Sequence, residues 1–240
     1  MDFSQDELID AVERLVNGLL ERAGAAEPPV DAIRIAEEHL GIPVTVAEPE
    51  QEGRGRPRAG FRRPAEGGIV LSPHATEEQR HAAAAQGIAR SLLPDLLRKF
   101  GVEAGTENKQ AVAYVRSLLV SRLLVPTRQL RSALRSCRYD VAALKERFRT
   151  ASFETIAHRF LDLENLCVIA IVDDGVVASR RGNVAPVSKK LTAAEQLCLE
   201  RVMDREAPDR QRLEGWTVQG WPVPQRPFRR VVLHAVPDDV

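Results

Sequence analysis

The stretch TEEQRHAAAAQGIARSLL, residues 76–93, decides how the rest of the chain is interpreted. Thr76 and Gln79 stand three residues apart ahead of an apolar run, and this capping-box pair predicts the start of a helix. Because proline disrupts a helix interior, we expect Pro94 to end it. The centre of the stretch, Ala85-Gln86-Gly87-Ile88-Ala89, contains no carboxylate, imidazole or thiol. The sequence therefore predicts a well-formed helix whose middle lacks the side chains that most catalytic sites use.

The composition of the 240 residues is that of an ordinary soluble globular protein, with 44% hydrophobic and 28% charged residues. The formal net charge is zero, so overall charge gives no argument for nucleic-acid binding. Three cysteines without metal-type spacing favour a reducing compartment. The acidic start MDFSQDELID has no signal-peptide pattern, and no apolar run has the length of a membrane span. We therefore expect a cytoplasmic protein that has no membrane partner.

The charge is unevenly distributed. Residues 1–50 hold twelve acidic and three basic side chains, whereas residues 127–149 hold seven basic and two acidic ones. Such asymmetry marks either a binding face or an ordinary solvated surface.

Upstream of Thr76, periodicity predicts helices over residues 5–22 and 30–40 and a strand over 43–46. Residues 59–63 and 68–72 have the pattern of a hairpin. Downstream, helices are predicted over 106–124, from Pro126 to about Cys137, and over 141–148 and 152–163. Strands over 167–172 and 176–179 flank an Asp-Asp-Gly turn, a capped helix covers 192–205, and two further strands cover 216–219 and 229–235.

This order of elements resembles the ImmA/IrrE family of metallopeptidases, which have a zincin-like fold and occur in bacterial regulators. The resemblance rests on PVDAIRIA followed by LGIPV (29–36, 40–44), on GF and GIVLS (60–61, 68–72), on Gln79-Arg80, and on LVSRLLVP (119–126). It implies an α+β protein in three parts. These are a metallopeptidase-like domain over 1–126, a helical segment over 127–164 that resembles a helix-turn-helix, and a small mixed α/β domain over 165–240 that resembles a GAF sensor domain.

The resemblance also locates the positions at which the family has its catalytic groups. Ala85 and Ala89 stand where two histidines bind zinc, and Gln86 stands where the glutamate base of His-Glu-x-x-His belongs. The third ligand, a glutamate about thirteen residues before the proline, falls on Ala113. A methyl group cannot bind zinc, and an amide does not act as a base. The resemblance therefore implies a pseudopeptidase with no metal and no cofactor.

Another metal site is conceivable at Glu77 and His81, which share a helical face. No third ligand has a matching spacing, so we interpret Glu77 as a helix-terminus charge and His81 as a half-buried side chain. Neither a nucleophile elbow nor a Cys/His signature is present.

The segment after Pro126 is the strongest remaining candidate for binding. Arg128, Arg131, Arg135 and Arg138 recur at helical spacing and predict a basic stripe. If the next two helices form a helix-turn-helix, DNA contacts would come from the second helix, through Ser152, Glu154, Thr155, His158 and Arg159. One alternative is a helical subdomain that only packs against the core. Another is that the arginine stripe contacts an acidic protein surface.

The last part of the chain has no ligand motif. Trp216 and Trp221 are candidates to line a pocket, although large aromatics in a small domain more often belong to the core. Residues 180–183, Arg-Arg-Gly-Asn, have the composition of an exposed turn.

Two functions stay open at this point. One is a non-catalytic regulator, in transcriptional or stress control, that binds a protein partner such as a repressor. Its peptide-docking edge would be the hairpin at Gly60, Phe61, Arg62 and Arg63 with residues 68–72. The other is a DNA-binding regulator that uses residues 127–163. A weaker third reading is an active zinc peptidase with non-standard ligands.

Overall fold

The computed structural model describes residues 4–47, 68–101, 109–163, 165–184, 187–224 and 229–238. The chain divides into two compact units: residues 1–138 with 146–152, and residues 139–145 with 153–240. The fold is α+β, with helices concentrated in the first unit and an antiparallel sheet in the second.

The first unit is built around four long helices: α1 (Gln5–Arg22), α3 (Glu77–Lys99), α4 (Lys109–Leu124) and α5 (Thr127–Cys137). A short helix, α2 (Ala32–Arg34), continues as a π-helix over Ile35–His39. The N-terminus of α1 has a capping box formed by Ser4 and Glu7. Its buried side chains recur every three or four residues, so α1 presents one apolar face, and it packs against α4.

Two strands accompany these helices. β1 (Val44–Val46) pairs in parallel with β2 (Ile69–Leu71), with Val44 opposite Ile69. Because β1 and β2 run in parallel, they do not form a hairpin with each other, and the local sequence pattern does not predict their pairing. The hairpin partner predicted for β2, residues 59–63, lies outside the described residues.

The helix that carries residues 76–93 differs from the prediction at its end. Thr76 caps its N-terminus as expected, but α3 continues past Pro94 to Lys99. Pro94 is exposed, so solvent can hydrate the carbonyl group that loses its helical donor there. The prediction that Pro94 ends the helix was therefore wrong.

The second unit is a five-stranded antiparallel sheet in the order β4-β3-β7-β6-β5. Its strands are β3 (Val168–Asp173), β4 (Val176–Gly182), β5 (Asp209–Leu213), β6 (Trp216–Val223) and β7 (Arg230–Pro237). Asp174 and Gly175 have positive φ angles of 48° and 82°, which fits the predicted turn between β3 and β4. The strand β5 was not predicted, because DRQRL has no apolar alternation.

Helix α8 (Ala193–Arg205) covers one face of this sheet. It begins at the predicted Thr192–Glu195 capping box and packs Ala194, Cys198, Leu199 and Val202 against alternate residues of the strands. The intervening residues Ile169 and Ile171 are also buried, so the opposite face is covered as well. Helix α6 (Val141–Arg147) precedes helix α7 (Phe153–His158) in the chain. Helix α7 is followed by a 3-10 turn over Arg159–Asp162 and contacts β3 and β7.

Candidate functional site

The position of α3 is fixed by its cap and by its apolar face. The Thr76 hydroxyl accepts a hydrogen bond from the backbone N–H of Gln79 at 3.3 Å, and the Gln79 side chain accepts one from the Thr76 N–H at 3.0 Å. Ala85 and Ala89, one turn apart, have exposed fractions of 0% and 1%, whereas Gln86 is exposed. The two positions that the sequence analysis predicted as degenerate zinc-ligand positions therefore hold buried methyl groups packed into the core.

The same turn of α3 lies unusually close to β2. A Cβ atom built on Gly87 would stand 2.3 Å from Cδ1 and 2.5 Å from Cγ1 of Ile69. Only a glycine permits this approach without a shift of Ile69. The middle of α3 is thus closed by small residues against the strand.

On α4, Ala113 is exposed, so its side chain does not point toward the buried face that Ala85 and Ala89 share. The buried residue nearest to it in α4 is Val115, which is 3% exposed. Ala113 was predicted from its spacing to the proline, and spacing alone does not reveal that Ala113 is exposed whereas Val115 is buried. Neither an alanine nor a valine side chain can bind a metal.

His81 occupies a different position on α3. Its Nδ1 atom is buried and lies 3.8 Å from Oδ1 of Asp31, and no described residue forms a hydrogen bond with it. Burial lowers the pKa of His81 from its usual 6.5, and the charges of Asp31 and Glu77 oppose that effect. Asp31 also caps α2, because its Oδ1 accepts a hydrogen bond from the Arg34 N–H at 3.0 Å. Within the described ranges no group of three or more His, Cys, Asp or Glu side chains has metal-binding geometry.

Helix α5 presents the predicted arginines to solvent. Leu130 and Ala133 are buried on one side, whereas Arg128, Arg131, Arg135 and Arg138 are exposed on the other. Arg138 is the C-cap of the helix and has a left-handed backbone with φ 48°. The eleven residues of α5 include no acidic side chain.

The residues predicted to contact DNA are half-buried or buried, in contrast to the exposed arginines of α5. Ser152 and Thr155 are half-buried at the start of α7. Arg159 is 1% exposed and donates a hydrogen bond to Asp162, so its guanidinium does not lie on the surface. The Nε2 atom of His158 is buried, and burial lowers the pKa of this histidine.

Helix α7 is also tied to the sheet through Arg230, which sequence reasoning missed. The Nε and Nη2 atoms of Arg230 donate to the two carboxylate oxygens of Asp173 at 2.6 and 2.7 Å, and its Nη1 atom lies 3.5 Å from Glu154 on α7. These hydrogen bonds hold the pKa of Asp173 below its usual value. Nothing in the local sequence around Arg230 predicts this cross-sheet network.

An aromatic cluster forms beside the same face of the sheet. Tyr139 stacks on His234 with ring centroids 5.2 Å apart and meets Phe160 edge-on at 5.1 Å. Trp221 is buried and donates its indole N–H to Asp140 at 3.0 Å, so it is a core residue. Trp216 packs at the edge of the α8 core.

Arg180 does not form the exposed turn that its sequence suggested. It lies in β4 with a side chain 6% exposed, and its guanidinium donates to both carboxylate oxygens of Glu195 at 3.0 and 3.2 Å. Glu195 is also the second member of the α8 capping box. The prediction of an exposed turn at this arginine was wrong.

The three cysteines differ in accessibility. Cys167 and Cys198 are buried, and burial raises the pKa of each thiol to about 12. Cys137, the last residue of α5, is partly exposed. None of the three forms a disulfide.

The predicted docking residues Gly60, Phe61, Arg62 and Arg63 lie outside the described residues. The remainder of that predicted edge, residues 68–72, contains β2. No helix in the described part of the chain combines the length and the apolar character needed to cross a membrane.

Comparison with known proteins agrees with the fold. A Mycobacterium tuberculosis transcriptional regulator of known structure superposes with a TM-score of 0.70 at 15% sequence identity, covering 96% of this chain and 80% of that one. No curated protein matches the sequence. The family model described as the IrrE N-terminal-like domain matches residues 37–161, more than half of the chain. The chain therefore belongs to the IrrE N-terminal-like family, whose fold is that of a metallopeptidase.

Proposed function

We propose that this protein is a non-catalytic regulator that binds a protein partner, such as a transcriptional repressor, through its metallopeptidase-like unit. The observation that carries the proposal is the burial of Ala85 and Ala89 on α3. A catalytic zinc requires three protein ligands and an open position for water. Methyl groups at 0% and 1% exposure supply neither.

The loss extends beyond α3. Gln86 provides an amide where the chemistry needs a base, and both Ala113 and Val115 on α4 lack a donor atom. Substitution at one of these positions alone would leave room for compensation. Together they remove the metal, the activated water and the base, while the cap and packing of α3 persist.

Partner binding has a physical basis in the two-stranded sheet. β1 has β2 as its one strand neighbour among the described residues, and Val46 is 56% exposed. An extended peptide that adds to such an edge gains backbone hydrogen bonds and a contact for its apolar side chains. A role in transcriptional control is supported by the likeness to the mycobacterial transcriptional regulator.

Metal analysis of protein purified without chelators tests the non-catalytic assignment. We expect no stoichiometric zinc, and one zinc per chain would overturn it. The zinc content of the double variant Glu77→Gln/His81→Ala is measured beside that of the wild type. Zinc that disappears in this variant would support the alternative of an active peptidase with non-standard ligands on α3.

A second candidate function, DNA binding, is favoured by the exposed arginines of α5. Its test is a duplex-shift assay at low salt with the wild type and with Arg131→Glu/Arg135→Glu. Arg98→Glu/Lys99→Glu is the control, since it changes the charge equally at the exposed end of α3. If the wild type shifts no duplex, this candidate function is rejected.

A further inference from the structure

The arginine face of α5 has properties that neither the fold nor the lost metal site accounts for. Its guanidinium groups project from one side of an eleven-residue helix that contains no acidic residue. Neither Arg128 nor Arg135 has a carboxylate partner among the residues that the structure describes. For these two arginines, the usual neutralisation by a carboxylate four residues away on the same helix is missing.

The length of this surface is limited. From Arg128 to Arg138 the rise is about 15 Å, or roughly three helical turns. At the N-terminal end, Thr127 donates a hydrogen bond to Glu13, and Gln129 donates one to the carbonyl of Ala26. The adjoining Glu27 is exposed and lies 3.8 Å from Arg147. The exposed carboxylate of Glu27 thus borders the basic surface at this end, whereas Glu13 is ion-paired with the buried Arg122.

These dimensions favour a short acidic partner over a nucleic acid. One turn of B-form DNA extends about 34 Å, so a duplex laid along α5 would continue past the arginines. Beyond Arg128 its phosphates would approach the exposed Glu27, which repels them. The second helix of the predicted helix-turn-helix would contribute little to DNA binding, because Arg159 is buried and Glu154 is paired with Arg230.

We infer that α5 docks an acidic helical segment of the partner protein, with carboxylates at positions i and i+7 facing Arg128 and Arg135. Arginine suits this role because its planar fork binds a carboxylate through two hydrogen bonds. A helix of three turns matches the length of the arginine face. The inference deepens the proposed function, since it names the chemistry of the partner.

The probe is a synthetic alanine-rich helical peptide with glutamates at i, i+3, i+7 and i+10. A second peptide has the same composition but distributes its glutamates around the helix. Binding to the full chain is measured by fluorescence anisotropy at low salt and at 0.5 M salt, since exposed ion pairs weaken as salt increases. We expect the matched peptide to bind more tightly than the redistributed one, and we expect high salt to abolish binding.

Variants of the full chain complete the test. Arg128→Glu/Arg135→Glu should weaken the matched peptide at least about tenfold, because two attractions become repulsions. Arg98→Glu/Lys99→Glu, with the same change of charge on α3, should leave the affinity within about twofold, and circular dichroism checks that both variants are folded. Equal binding of the two peptides, or equal loss in the two variants, would overturn the inference.

A 20-base-pair duplex is the remaining competitor. If the duplex displaces the matched peptide at equal concentration and salt, the arginine face binds nucleic acid in preference to an acidic helix, and the inference fails. Zinc in the purified protein would overturn the non-catalytic function without changing the peptide result, so the two failures can be told apart.

Discussion

Helices α3 and α5 belong to the same unit but hold their chemically interesting positions in opposite environments. On α3, Ala85 and Ala89, the predicted positions of degenerate metal ligands, hold methyl groups buried in the core. On α5, Arg128 and Arg135 are exposed on the side opposite the buried residues of the helix. The contrast teaches that one unit can combine a closed, apolar helix face on α3 with an exposed basic face on α5, where we propose that recognition takes place.

The largest change in stability is expected when two histidines are introduced on the buried face of α3. Ala85→His/Ala89→His inserts two rings and their polar nitrogens into a closed core, and overpacking of each site costs about 1–3 kcal/mol. We expect a combined loss of about 3–5 kcal/mol in the free energy of unfolding, measured by urea denaturation. Ala113→His, at an exposed position of α4, is the control and should change stability by less than about 0.5 kcal/mol. Equal stability of both variants would mean that the α3 face is open.

Gly87→Ala tests how tightly α3 is closed against β2. The new methyl group would stand 2.3 Å from Ile69, so we expect a loss of about 1–3 kcal/mol. Gly18→Ala in α1 is the matched control, because its Cβ meets only the mobile end of Arg22 at 3.3 Å. That substitution should be neutral or stabilising by up to about 1 kcal/mol. Destabilisation of the same size in both variants would contradict the close packing of α3.

A smaller effect is expected from protonation of His81. Because burial lowers its pKa in the folded state, the unfolded chain binds more protons as the pH falls below 6.5. This histidine therefore reduces stability progressively from pH 6.5 down through its lowered folded-state pKa. His81→Phe should show a smaller loss of stability between pH 7 and pH 5 than the wild type, measured by urea denaturation at each pH. The exposed His74→Gln should behave like the wild type, and a His81→Phe curve identical to both would contradict the pKa shift.

The smallest effect on stability belongs to α5. Arg128→Glu/Arg135→Glu changes two exposed side chains, and we expect the free energy of unfolding to stay within about 0.5 kcal/mol of the wild type. The same variant should lose binding to the acidic peptide. If the free energy of unfolding falls by more than about 2 kcal/mol, these arginines stabilise the fold, and their role in recognition is contradicted.

Local signals in the sequence predicted several elements correctly. The capping boxes at Thr76 and Thr192 start α3 and α8, and the Asp-Asp-Gly turn joins β3 to β4. These features depend on neighbouring residues alone, so the sequence is sufficient to reveal them. The helix past Pro94 and the polar strand β5 were missed because tertiary contacts and edge pairing stabilise them.

The candidate site was predictable in its chemistry but not in its geometry. The sequence is enough to establish that the side chains of Ala85 and Ala89 cannot bind zinc and that the Gln86 amide cannot act as a base. It does not reveal that Ala113 is exposed or that Arg159 is buried beside Asp162, since both depend on which side of a helix faces a distant segment. The basic stripe was predicted because helical spacing alone defines it.

The cysteines have a practical consequence for these experiments. The Cys167 and Cys198 thiols stay protonated at neutral pH, because burial raises their pKa to about 12, and they are shielded from reagents. Cys137 is partly exposed at the last residue of α5, next to Arg138. Under native conditions a maleimide dye would therefore attach selectively at this position. The wild-type protein already contains a labelling site at the end of the arginine face, and docking of a partner there can be followed without engineering a cysteine.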